Sequence, residues 1–253
     1  GKRSGKFRVD GRLDWRSPGV DLNDVGFLRQ ADFITEELNV IYKVNKPKGK
    51  LLSYSFELEQ EHNRSFGGEK IGDELSVHSS IQFINYWKID LGVKYDLNQI
   101  DTRQLRGGPS LRMADNTSTQ LIVASNPSKD FFISTGTGYT FYNDKISKSA
   151  DYSFLFKWLI SNSLSLSSQT SFVSEIDNNQ YVMTKVVADK KQYVVGKIDR
   201  KTIFTTLRAE YFITPELSLQ YYGSPYASTG KYLDYRKVDQ SKAKDLAQRY
   251  STL

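Results

Sequence analysis

Apolar and polar residues alternate with a period of two along most of this chain, the period of a β-strand that is greasy on one face and wet on the other. Phe7, Val9, Leu13 and Trp15 share one side of such a strand, and Lys6, Arg8, Asp10, Arg12 and Asp14 take the other. The pattern returns in Leu52, Tyr54, Phe56 and Leu58 against Ser53, Ser55, Glu57 and Glu59. It returns again in Trp87, Ile89, Leu91, Val93 and Tyr95 against Lys88, Asp90, Gly92 and Lys94. Phe131 to Phe141, Tyr152 to Trp158, Ile203 to Tyr211 and Leu217 to Tyr221 repeat it, giving about thirteen runs, most of them about nine to twelve residues long. Residues 27–44 form the least regular stretch.

Composition narrows what those runs can build. Only 38% of the residues are hydrophobic and the mean hydropathy is −0.52, too polar for a bundle of membrane helices. No stretch approaches the roughly 20 consecutive apolar residues of a spanning helix. Cysteine is absent, which removes disulfides, Cys-based zinc sites and a thiol nucleophile, and leaves His62 and His78 as the only imidazoles. The net charge of +6 comes from 35 basic and 29 acidic residues with the two signs interleaved, so no basic stripe points to nucleic acid. The opening Gly1-Lys2-Arg3-Ser4 carries no apolar signal, which leaves export open.

Two all-β architectures fit the alternation. In a soluble sandwich the greasy faces meet each other, whereas in a transmembrane barrel they meet lipid and the polar faces line a lumen. Aromatic placement favours the barrel. Trp15, Trp87, Tyr95, Tyr139, Phe141 and Trp158 lie at or near run ends, where interfacial girdles need them, although Tyr54 and Phe56 are mid-run. Tight turns at 84–86 and 214–216 contrast with long polar connections at 16–24 and 60–73 and after Gly223, as in outer-membrane barrels. The expected fold is an antiparallel transmembrane β-barrel of about 12–14 strands in this chain, apparently incomplete. One barrel region covers 1–253, with a long loop or constriction at 16–32 and a polar external loop or tail at 223–253.

Several strings carry a family resemblance. Arg16-Ser17-Pro18-Gly19 is followed by Asn23-Asp24-Val25-Gly26-Phe27-Leu28-Arg29-Gln30-Ala31-Asp32; then come Asp101-Thr102-Arg103 and Arg106-Gly107-Gly108-Pro109. Tyr193-Val194 through Asp199, Thr214-Pro215-Glu216-Leu217-Ser218-Leu219-Gln220 and Pro225 through Gly230 complete the set in order. Together they resemble the domain-of-unknown-function family 5916. The resemblance implies an exported protein of Gram-negative bacteria in which a carbohydrate-binding sandwich, similar to family 9 modules, precedes an outer-membrane barrel. It further implies that this chain is part of the barrel, with the sandwich and the closing strands outside it.

Candidate sites follow from the polar face. Arg8, Arg12, Asp90, Lys94, Arg208 and Glu210 are expected to project into one aqueous interior, with Arg106 added as part of a ligand path. The competing explanation for such charges is a cross-strand ladder that pairs neighbouring strands. Glu57 and Glu59, with Glu61, form the compact carboxylate group; alternate strand residues lie about 6.6 Å apart, within the range of inverting glycosidases. Regular lumen-facing charge is the competing explanation there as well. The histidines have no partners at metal spacing, and neither Gly107-Gly108-Pro109 nor Gly136 with Gly138 opens a helix as a phosphate loop does, so neither metal nor cofactor is expected. Those glycines read as close packing, bends or lumen space.

The sequence therefore predicts a channel or surface-binding component of the cell outer membrane that handles saccharides or other polar solutes. A glycan hydrolase and a structural or assembly barrel are the alternatives. Outer-membrane lipid, polysaccharide or oligosaccharide, and other outer-membrane proteins are the expected partners.

Overall fold

The structure, a computed structural model, describes residues 1–2, 4–20 and 31–253. Eleven of its elements are long strands: β1 (Phe7–Arg16), β2 (Phe33–Val44), β3 (Leu51–Arg64), β4 (Lys70–Phe83), β5 (Lys88–Leu97), β8 (Asn116–Ala124), β9 (Phe131–Tyr142), β10 (Lys148–Ser161), β11 (Leu164–Val187), β12 (Lys190–Thr214) and β14 (Tyr226–Val238). The short pair β6 (Ile100–Asp101) and β7 (Leu111–Arg112) lies between β5 and β8. β13 (Leu217–Gly223) precedes β14, and α1 (Leu246–Arg249) and β15 (Tyr250–Thr252) follow it.

The protein is all-β, and its main sheet is an antiparallel meander of 13 strands in which each long strand pairs with the next. β13 and β14 lie end to end along one edge of β12, with Leu207 opposite Gly223 and Phe204 opposite Tyr226. Pro225 interrupts them because it has no N–H to donate, while its carbonyl still accepts from the Thr205 N–H at 3.0 Å. The pairing path is open, running from β1 to β14 and β15.

A meander sends successive strands in opposite directions, so the connections sort to two ends. The turns at 45–50, 84–87, 125–130, 162–163 and 215–216 share one end, and none exceeds six residues. The opposite end carries the 98–115 connection with β6 and β7, the 239–253 segment, and the tip of the β11–β12 hairpin. That hairpin projects beyond its neighbour, since β10 stops opposite Ile176 while β11 continues to Val187. Its two-residue turn places Ala188 at φ 48° and Asp189 at φ 60°, the left-handed pair of a type I′ turn.

Three local expectations need correction. The 60–73 region is strand except at 65–69. Gln60 and Arg64 are polar on the outward face there and His62 faces Asp73, so the ladder continues after its apolar signal has ended. Residues 33–44 form a regular strand whose pattern is blurred because Phe33 and Ile41 sit on the polar face and Glu36 on the other. The segment 223–253 holds β14, α1 and β15 in place of a continuous loop, paired through a backbone register that composition does not reveal. Of the proposed loop or constriction at 16–32, residues 21–30 lie outside the described residues.

Packing is uneven. The core cluster joins Leu105 and Leu111 of the 98–115 connection, Val195 of β12, Val238 of β14 and Tyr250, all at the long-loop end. By contrast, the apolar face of the sheet stays uncovered: Leu91 is 47% exposed, Phe141 57% and Leu219 64%. A sandwich would cover that face with a second sheet, and among the described residues the other sheet is only β6 with β7.

Candidate functional site

Cross-strand partners in a sheet point to the same face, so the register fixes which side chains share the polar surface. One row crosses seven strands as Arg12, Glu37, Glu61, Glu74, Asp96, Asn116 and Tyr142. Four consecutive members are carboxylates. Like charges directly opposite one another destabilise a sheet, so this row is carried at a cost that neighbouring cations only partly offset. Cations flank it: Arg12 lies 3.6 Å from Glu37, and Lys94 Nζ lies 3.4 Å from Glu74 and 3.1 Å from Asp96.

The row borders a cavity of about 900 Å³. Its lining comes from strands as distant as β1 (Arg16) and β12 (Arg200), which requires the sheet to curve with its polar face concave. Arg200 bonds Glu175 across the β11–β12 pair. Amides and hydroxyls fill the space between the ion pairs, Asn63, Gln104, Asn179 and Thr140 among them. This lining offers hydrogen bonds in both senses and charges of both signs, only some of them paired within the wall, a surface suited to polar solutes.

A cap closes over the cavity from the long-loop end. Asn98 Nδ2 donates to Asp73 Oδ2 at 3.1 Å and Gln104 Nε2 donates to the Asn179 carbonyl at 2.5 Å. The Tyr250 hydroxyl donates to Asn179 Oδ1 at 2.5 Å, and Arg236 Nη2 donates to Asn178 Oδ1 at 2.7 Å. The guanidinium of Arg236 also lies 4.5 Å from the centre of the Tyr250 ring. Arg249, 3% exposed, donates to the carbonyls of Arg112 at 2.9 Å and Ala243 at 2.7 Å, joining the C-terminal segment to the 98–115 connection. Burial pushes the Tyr250 phenol up from its ordinary value, opposed by Arg249 and Arg236.

Arg8 and Arg12 on β1, Asp90 and Lys94 on β5, and Arg208 and Glu210 on β12 occupy the polar face, and of these Lys94 lines the cavity. Asp90 sits 2.9 Å from Lys88, and Arg208 lies 5.4 Å from the Tyr222 ring. Arg106 is in the cap, exposed, 5.0 Å from the Tyr181 ring and outside the cavity lining.

Glu57 and Glu59 share the polar face as the alternation requires, but their company differs from a simple pair. Asn39 donates to Glu57 at 2.5 Å, while Glu59 joins Glu37 and Glu61 with carboxylate oxygens within 4.8 Å of one another. Such a trio has the donor type a hard cation prefers. Asn63 donates to Glu61 at 2.6 Å. His62 lies in β3 with its Nδ1 2.8 Å from Asp73, and His78 is 3.9 Å from Asp90.

Sequence reading missed Glu37, Glu74, Asp96, Tyr142, Glu175 and Arg200, because parity along one strand says nothing about register with the next. The glycine strings do find a meaning together. Gly108 lies against the Tyr193 ring, so Arg106-Gly107-Gly108-Pro109 and the string beginning at Tyr193 form one contact in the cap.

No curated protein matches the chain, and no solved structure does. The family comparison does give a match, over residues 1–251, and the chain belongs to the family described as Domain of unknown function (DUF5916).

Proposed function

We propose that this chain forms the wall of an outer-membrane β-barrel that passes or holds polar solutes, saccharides among them. The observation that carries this reading is the opposition of the two sheet faces: uncovered apolar side chains outside, and a concave polar face around a 900 Å³ cavity inside. Lipid is the environment that makes such an outer face stable, because water would penalise it. Spacing supports the reading. Phe131 and Phe141, both exposed on β9, are ten residues apart. That is about 34 Å along a strand, or about 24–28 Å across a bilayer at a tilt of about 35–45°, close to the apolar band of about 25 Å in such barrels.

Threonine adds a second kind of support. On the outer face, Thr135 donates to the Ser153 carbonyl at 3.2 Å, and the Thr170 and Thr205 hydroxyls bond each other at 3.0 Å. Polar groups satisfied within the wall leave methyls toward the surroundings, as an apolar solvent demands. The acidic row and the capped cavity then give the solute path its chemistry: hydrogen bonds for hydroxyl-rich solutes and a wall that repels anions. The partners of this reading are outer-membrane lipid, saccharides and other outer-membrane proteins.

The test is reconstitution into phospholipid vesicles followed by conductance and by swelling in neutral sugars. Ion conductance with sugar-dependent swelling is the expected result. Vesicle insertion with neither would reject passage and leave a scaffold, and failure to insert would reject the barrel itself.

A further inference from the structure

The outer face is not uniform. Between β8 and β11, at mid-height, it hollows into an apolar groove of about 450 Å³. Tyr152 and Phe172 form one wall, their rings stacked 6.5 Å apart, and Leu121 and Val123 line the groove on the β8 side. Thr135, Thr137 and Thr170 also line it, short side chains where neighbouring positions carry aromatic rings.

Two observations decide what fits there. The first is height: on β9 the groove residues Thr135 and Thr137 lie between Phe131, whose ring meets Trp158 edge-on at 6.2 Å, and the Tyr139–Phe141 pair at 4.2 Å. In a bilayer this is hydrocarbon depth, below any headgroup. The second is chemistry: the groove is lined mainly by carbon and the Thr135 and Thr170 hydroxyls are spent inside the wall, which leaves a polar ligand or a protein backbone only the Thr137 and Tyr152 hydroxyls to bond. A soluble partner would have to bury its own polar groups unpaired against it.

Resting on the barrel reading above, we infer that this groove is a binding site for one lipid acyl chain, held against Tyr152, Phe154 and Phe172 more tightly than the lipid around it. The chain fills the hollow that threonine leaves, and its contacts are dispersion contacts with the ring faces. The groove is continuous with the exposed belt on both sides, so a chain reaches it from the surrounding leaflet without passing through protein.

The experiment uses vesicles of phosphatidylcholine with brominated acyl chains. The protein is reconstituted, recovered by flotation, extracted in mild detergent and weighed by native mass spectrometry for retained bromolipid. Thr137→Phe and Thr170→Phe fill the groove from two different strands, and Leu219→Phe enlarges a side chain elsewhere on the belt. The expected result is a retained lipid on the wild type and on Leu219→Phe, falling severalfold in both groove variants. Flotation with equal retention in all four proteins would overturn the groove while leaving the barrel standing. A wild-type dimer that the groove variants dissociate would give the groove to a second copy and overturn the inference. Failure of the wild type to float would remove the barrel reading and this site with it.

Discussion

Gly108 approaches Tyr193 so closely that a β-carbon at position 108 would lie 2.5 Å from the Tyr193 ring and 2.9 Å from Leu105. The first contact crosses from the 98–115 connection to β12, and it seats the cap on the projecting hairpin. Gly108→Ala must therefore push the connection away from Tyr193 or move a buried leucine. The expected cost is about 1–3 kcal/mol, typical of overpacking a well-filled site. It should appear as faster proteolysis within residues 98–115, with the strands of the sheet still protected from hydrogen exchange.

That contact also shows what could be read before the fold was known. Alternation along β1, β3, β5 and β9 was legible because an uncovered face and a wet face give each strand a clean period of two. The 33–44 strand was not, since Phe33 and Ile41 face inward and Glu36 outward. Gly108 was legible as close packing, whereas Gly107 stands in open space and serves the bend with its φ of 89°, and nothing local names Tyr193, which lies far along the chain. The acidic row was hidden for the same reason: Glu37, Glu61, Glu74 and Asp96 sit on four strands, and only register aligns them.

The acidic row predicts cation preference. Glu61 and Glu74 face one another across β3 and β4, and Lys94 partly neutralises Glu74 and Asp96. The double variant Glu61→Gln with Glu74→Gln should move the zero-current potential under a salt gradient toward the value for equal permeability. Lys94→Gln should move it the other way, by leaving Glu74 and Asp96 without their cation. Both shifts should shrink as ionic strength rises, because the screening length falls to about 3 Å at 1 M salt. Identical potentials in the three proteins would show that ions do not pass along this wall.

The hairpin tip predicts a local gain. Ala188 occupies the left-handed region at φ 48°, where a β-carbon costs roughly 1–2 kcal/mol and asparagine or glycine is preferred. Ala188→Asn should therefore stabilise the β11–β12 tip by up to about 1 kcal/mol, part of that left-handed penalty. The tip extends past β10, so the gain should be seen as slower amide exchange near residues 184–193, with little change in the global unfolding midpoint.

Leu91 tests the outer face directly. It is 47% exposed on β5, flanked by Ser79 of β4 and Leu121 of β8. In water, arginine at so open a position would be tolerated within about 0.5 kcal/mol, as surface substitutions usually are. In a bilayer the same guanidinium must leave water or drag water with it, and near the midplane that costs about 2–4 kcal/mol. Leu91→Arg should thus lower folding stability in lipid vesicles by that amount. His78→Arg on the opposite face of the neighbouring strand, where the surroundings are polar, should lower it far less. Reversible urea unfolding in vesicles measures both. Equal, small effects would mean that Leu91 faces water, and the outer belt would then need another explanation than lipid.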